Sequence, residues 1–192
     1  MEALFHLIFQ LLKIGFLSFI YSSILIELLI LIDKIKPFEF VKKIKSNKKK
    51  YRINFGLFIS LGLFIYSFTY WGNHGLGDSA LIPIGYSKTI SNINWTEYSH
   101  LNSVQTSDEI KIETTKFKVK DAKLCGNLDS WFYDFDNSYF VLDLKTDELI
   151  EFETEKKFNE YAIKNDLPKS DELLDFRKNY SDFWGVRLLL LP

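Results

Sequence analysis

The sequence predicts a membrane protein: two transmembrane α-helices in a hairpin, then a small α+β extracytoplasmic domain with an antiparallel β-meander and two short C-terminal helices. Three observations carry that prediction. Residues 14–32 and 53–71 form two nineteen-residue stretches, the first with one charge and the second with none. A lysine-rich connection separates them. Beyond Trp71 the long apolar runs give way to short alternations, turn signals and two helical patterns.

Charge divides the chain the same way. Positions 1–72 hold ten basic residues against four acids, +6, and the total of −1 leaves −7 for 73–192. An acidic outer half excludes nucleic acid as its partner, because phosphate recognition needs a basic face. The single cysteine, Cys125, allows no intramolecular disulfide, so the outer domain must rely on its core. Abundant Lys, Ile, Asn and Phe resemble the bias of an AT-rich bacterial genome, which makes a bacterial inner membrane the expected location.

The first region, 1–33, carries the first apolar stretch, and about 20 such residues cross a hydrocarbon core of roughly 30 Å. A cleaved signal peptide is the rival reading. Residues 1–6 hold no positive charge, and no small-x-small cleavage site follows Ile32. Apolar residues from Ala3 onward extend the expected helix to roughly 45 Å at about 1.5 Å per residue, so tilt or a protruding end is expected. Glu27 lies near the inner end of this helix and Lys13 near the outer edge, where headgroups are within reach. Ser18 and Ser22 here, with Gly56 and Ser60 in the second stretch, have the small-x-x-x-small spacing that lets helix backbones approach. Those faces could pack within the hairpin or recruit another protein.

The connection, 34–52, contains Lys42, Lys43, Lys45, Lys48, Lys49, Lys50 and Arg52. Loops rich in Lys and Arg stay cytoplasmic, which places the N-terminus and everything after Trp71 outside. Phe38, Val41 and Ile44 recur at helical spacing among the lysines, as in a short helix lying on anionic inner-leaflet lipid. Asp33 reads as a solvated interface charge. After the second span, 53–72, Tyr66, Tyr70 and Trp71 fit an aromatic belt at the outer surface.

The outer domain, 73–192, begins with a glycine-rich exit loop containing His74, Asp78 and Ser79. These are the only compact cluster of chemically able side chains, and their spacing fits turn capping as well as catalysis. Pro83 marks an edge or a strand start. Residues 89–94 read as a polar strand end and loop, 95–101 as a short strand, and His100 as an isolated surface residue. Ile110 and Ile112, then Phe117 and Val119, alternate with polar neighbours as half-buried strands do. Gly126-Asn127 reads as a turn, and Asp136-Asn137-Ser138 joins 131–135 to 139–144 as a hairpin. Five or six strands follow from this count. Asp129, Asp134, Asp136 and Asp143 lack the spacing of a calcium loop and read as a solvated face. Thr154 should cap a helix over 155–165, and Ser170 a second one. The apolar ending, 183–192, is expected as a last core strand or as a tail for the bilayer or a partner. Asn94 and Asn179 stand in glycosylation sequons.

No metal, cofactor or catalytic motif emerges. The expected role is therefore a non-enzymatic, membrane-anchored interaction or accessory protein whose outer domain binds another envelope protein, or a further copy of itself. Its rivals are a membrane-surface hydrolase using His74, Asp78 and Ser79, and a small channel or transporter subunit oligomerised through Glu27.

Overall fold

The computed structural model describes residues 2–102, 112–128 and 138–192. The chain divides into two units: residues 1–73 with 186–192, and residues 74–185.

The first unit is helical. Helix α1, Glu2–Ile35, is long and apolar enough from Leu4 onward to cross a membrane. At 1.5 Å per residue its 34 residues reach about 50 Å. Ile14, Leu17, Ser18, Ser22 and Ile26 are buried at steps of three and four, forming one stripe. Helices α2, Glu39–Ser46, and α3, Lys48–Ser67, follow. The expected amphipathic helix in the basic connection is α2, but Val41 and Ile44 are buried in protein, 2% and 0% exposed, while Phe38 and Phe40 face outward.

Helix α3 ends earlier than the apolar composition suggests. Thr69 donates its hydroxyl to the Tyr66 carbonyl (2.7 Å), and Gly72 N–H donates to Thr69 Oγ1 (3.2 Å). The backbone folds so tightly there that a Cβ on Gly72 would lie 2.1 Å from the Tyr66 oxygen. Uncharged helix therefore runs only from Ile53 to Ser67, about 22 Å, short of a core of about 30 Å. Among the described residues one helix, α1, meets the length and apolarity a span needs. Tyr70 and Trp71 stack edge to face in the turn, 4.8 Å apart.

Asp33 corrects the solvated reading. It is 8% exposed and accepts from the Phe38 amide (2.6 Å) and the Lys45 ammonium (2.7 Å), pinning the corner where α2 starts. The C-terminal segment also departs from expectation. Arg187–Leu190 forms one helical turn, α6, with Val186 and Leu189 exposed, and Tyr21 donates its hydroxyl to the Leu190 carbonyl. A core strand is excluded there.

The second unit is a three-layer α+β domain rather than one meander. Strands β1 (Ser79–Gly85), β2 (Lys88–Ile93), β3 (Ser99–Asn102) and β4 (Glu113–Thr114) form a four-stranded antiparallel sheet in sequence order. Strands β5 (Lys116–Lys120), β6 (Lys123–Asn127), β7 (Tyr139–Asp143), β8 (Leu149–Phe152) and β9 (Leu174–Asp175) form the second, ordered β8-β7-β6-β5-β9. Pro83 lies on edge strand β1, where its missing N–H costs no ladder bond. The stretch 89–94, expected as a polar strand end and loop, lies mostly in β2, which pairs on both sides, so its polar side chains are carried into the sheet.

The second sheet is covered on both faces. Phe117, Leu124, Phe140 and Leu142 pack with Ile82, Ile90 and Leu101 of the first sheet. Cys125, Val141 and Phe152 face the opposite way, onto Phe158 and Ala162 of helix α4, Glu155–Lys164. The run 139–144 is thus apolar on both faces because both are buried, and strict alternation fails for that reason. Both edges of β7 are occupied, by β6 and β8. The expected hairpin partner 131–135, the carboxylates Asp129, Asp134 and Asp136, and Ile110 lie outside the described residues.

Gly126-Asn127 is strand, not turn. The β5–β6 reversal falls at Asp121 and Ala122, both at positive φ (49° and 62°). Asn127 instead joins the two sheets: its Oδ1 accepts from Lys116 N–H (2.7 Å) and from the Thr114 hydroxyl (3.1 Å).

Lys88 is buried on β2, its ammonium donating to the Leu144 carbonyl (2.9 Å) and pairing with Asp147 (2.7 Å). Thr154 caps α4 as expected, accepting from Lys157 N–H. Ser170 does not start the next helix. Residues Ser170–Glu172 make a single 3₁₀ turn, Leu174–Asp175 pairs with β5, and Asp175 caps α5, Phe176–Trp184, through Lys178 N–H (2.7 Å). The Asn179 amide is committed to the Phe117, Leu174 and Asp175 carbonyls, which leaves no room for a glycan there.

Lys123 and Asp143 form a cross-strand pair at 2.9 Å. That ammonium, helped by the Lys145 amide, holds the Asp143 carboxyl down at about 2, from an ordinary 3.8. A depressed carboxylate stabilises the fold above its unfolded value and ceases to as pH falls through the folded one. Asp143→Asn should therefore flatten the stability–pH curve between about pH 4 and 2, measured by denaturant midpoint.

Candidate functional site

Helices α1 and α3 do not close on each other along their whole length. Between them runs a groove of about 700 Å³, within the roughly 300–1,000 Å³ of small-ligand sites. Its floor is made of small residues: Gly15, Ser18 and Ser22 from α1, Gly56 and Ser60 from α3. A Cβ on Gly56 would sit 3.7 Å from Ser22 Oγ, so the helices already approach closely there. The Ser18 and Ser22 hydroxyls return to their own helix, donating to the Gly15 and Phe19 carbonyls. Their polarity is satisfied internally, and the floor presents mainly carbon.

The groove is basic at one end. Lys48, Lys49 and Arg52, from the first turns of α3, line it there. Lys48 pairs with Glu27 at 3.3 Å, so Glu27 bridges the two helices. Arg52 lies over the Phe19 ring, 5.6 Å from its centre, with its Nε buried and without a hydrogen-bond partner. Among the described residues neither Lys49 nor Arg52 has an acid within 4.0 Å. The first turn of α3 contains no acid, and no side chain caps it, so the positive end of the helix adds to theirs. Of the other lysines of the connection, Lys42 pairs with Glu39 and Lys45 with Asp33, while Lys43 and Lys50 are exposed.

Among the described residues of the second unit, the chemically able side chains do not form one centre. His74 packs edge to face on Trp184, 5.8 Å between rings. Asp78 is exposed and its carbonyl accepts from Asn94 N–H, while Ser79 opens β1 opposite Ile93. His100 is elsewhere, its Nδ1 3.1 Å from Glu113. Ser91, His100 and Glu113 stand side by side across β2, β3 and β4. The Ser91 hydroxyl, however, donates to the His100 carbonyl (3.4 Å), not to the imidazole. The row is a cross-strand polar ladder.

A cleft of about 520 Å³ between β5 and the end of α4 is lined by Lys118, Lys120 and Lys169, but also by Asp166 and Glu172. Lys120 is already paired with Asp166 at 2.9 Å. Cys125 is fully buried, and desolvation pushes its thiol up to about 12. Iodoacetamide at pH 8 should leave it unmodified in the folded protein and alkylate it fully in denaturant, read by intact mass.

The small-residue faces and the lysines are each legible in the sequence, but the groove that unites them is not. The Asp33–Lys45 and Arg52–Phe19 contacts join residues too far apart for local periodicity to signal. The chain matches no protein-family model, no curated protein and no solved structure.

Proposed function

We propose that the protein is a non-enzymatic, membrane-anchored accessory protein whose outer domain binds another envelope protein. In this reading α1 and α3 cross the bilayer as a hairpin, the connection bearing Lys42 to Arg52 is cytoplasmic, and residues 74–185 are outside, while 186–192 returns to α1 at Tyr21. The supporting observation is the outer surface of the helices. Phe5, Phe9, Phe16, Ile24 and Leu28 on α1 and Leu57, Phe58 and Leu61 on α3 are all exposed, far more contiguous apolar surface than water tolerates. Lipid is the cover that composition supplies. The short uncharged part of α3 is then completed by tilt, by local thinning and by the lysines of its first turn reaching headgroups.

Orientation is tested by a cysteine at Lys49, since Cys125 is buried and gives little background. A membrane-impermeant maleimide should label Lys49→Cys only after the membrane is permeabilised. Labelling of intact cells overturns the topology. Partner binding is tested by in vivo crosslinking from exposed Trp95 and Tyr86. Crosslinks only to lipid or to nothing, in the native membrane, count against the accessory role.

A further inference from the structure

We propose that the α1–α3 groove is a specific site for an anionic glycerophospholipid, with the phosphate held by Lys49 and Arg52 and an acyl chain lying over Gly56, Leu57 and Ser60. This rests on the hairpin being in a membrane. Three features converge on that occupant. Two cations without acidic partners stand at one end of the groove, and one of them has a buried N–H with no acceptor. The positive end of α3 lies with them, uncapped by any side chain and free of acids in its first turn. Beyond them the groove turns apolar along the helix axis, as a molecule with a charged head and a hydrocarbon chain requires. Basic pockets between membrane helices on the cytoplasmic side are suited to anionic headgroups.

Lys48 is excluded from the headgroup site because Glu27 already holds it. That pair has a role of its own here, bracing the groove's basic end so that Lys49 and Arg52 keep their separation. Phe19 fixes the Arg52 guanidinium from the opposite helix. An arginine so placed can present two N–H groups to a phosphate.

The test uses the full chain in a neutral detergent, with thermal unfolding followed on addition of phosphatidylglycerol, phosphatidylcholine or inorganic phosphate. Phosphatidylglycerol should raise the midpoint by roughly 5 °C or more at saturating excess. Phosphatidylcholine and inorganic phosphate should do much less, because one lacks the net charge and the other the chain. Lys49→Gln with Arg52→Gln should abolish the difference between the two lipids while leaving the lipid-free midpoint within about 2 °C. Lys49→Gln alone, at an exposed side chain, should reduce it. Equal shifts from both lipids, a full shift from phosphate alone, or an unaltered preference in the double variant would each overturn the site. Alkaline carbonate extraction separates membrane insertion from lipid preference. Release of the protein overturns the membrane reading and the site with it; retention without lipid preference overturns the site alone.

Discussion

Replacing Trp184 with alanine is expected to cost the α+β domain about 3–5 kcal/mol, the usual range for a buried aromatic cut to a methyl group. Trp184 is 1% exposed and closes helix α5 over edge strand β1. Its rings meet His74, Tyr180 and Phe183 within 5.0–6.4 Å. Its indole N–H donates to the Leu81 carbonyl at 2.7 Å. Alanine would open a cavity and also strip that carbonyl of a partner, two losses that add. Trp184→Phe should keep most of the packing and forfeit mainly the hydrogen bond, about 1 kcal/mol. Denaturant unfolding of the full chain, followed by circular dichroism, separates the two. Equal stability of the alanine variant and the parent would mean that α5 is not part of the domain's cooperative unit.

The second large effect is expected at Gly126. A Cβ there would lie 2.7 Å and 2.8 Å from two ring carbons of Phe140 and 3.0 Å from the Thr114 hydroxyl. Phe140 is fully buried between the two sheets and has nowhere to move. Gly126→Val should therefore cost about 3 kcal/mol, at the upper end of overpacking penalties. A second substitution, Phe140→Leu, removes the ring edge that the new side chain strikes. The double variant should be less destabilised than the sum of the singles by about 1 kcal/mol or more, a coupling that only direct contact produces. Additive losses would place the strain in the strand backbone instead.

Much of the architecture is legible in the sequence. The long apolar helix, the helix within the basic connection and the Thr154 cap follow from local composition, periodicity and capping chemistry, and strand Tyr139–Asp143 from a short apolar run beside a turn signal. What local reading misses is set by partners distant in sequence. Gly126 looks like a turn residue until Phe140, fourteen positions on, is seen to need its missing side chain. Asp33 looks solvated until Lys45 arrives twelve positions later. The polar strand Lys88–Ile93 is carried by neighbours on both sides rather than by its own propensity. At the candidate site the residue types were readable and their convergence was not, because a groove belongs to two helices at once.

Lys88 carries a consequence for uniqueness as well as strength. Two greasy sheets pressed together are nearly indifferent to sliding by a residue, since one aliphatic contact replaces another. A single ammonium that must find the Leu144 carbonyl and Asp147 removes that indifference, like a key with one lock. Exchanging it for methionine strips the buried Leu144 carbonyl of its ammonium and should cost about 1–3 kcal/mol while leaving the domain folded. The aromatic near-ultraviolet spectrum should nevertheless weaken, as one alignment gives way to several.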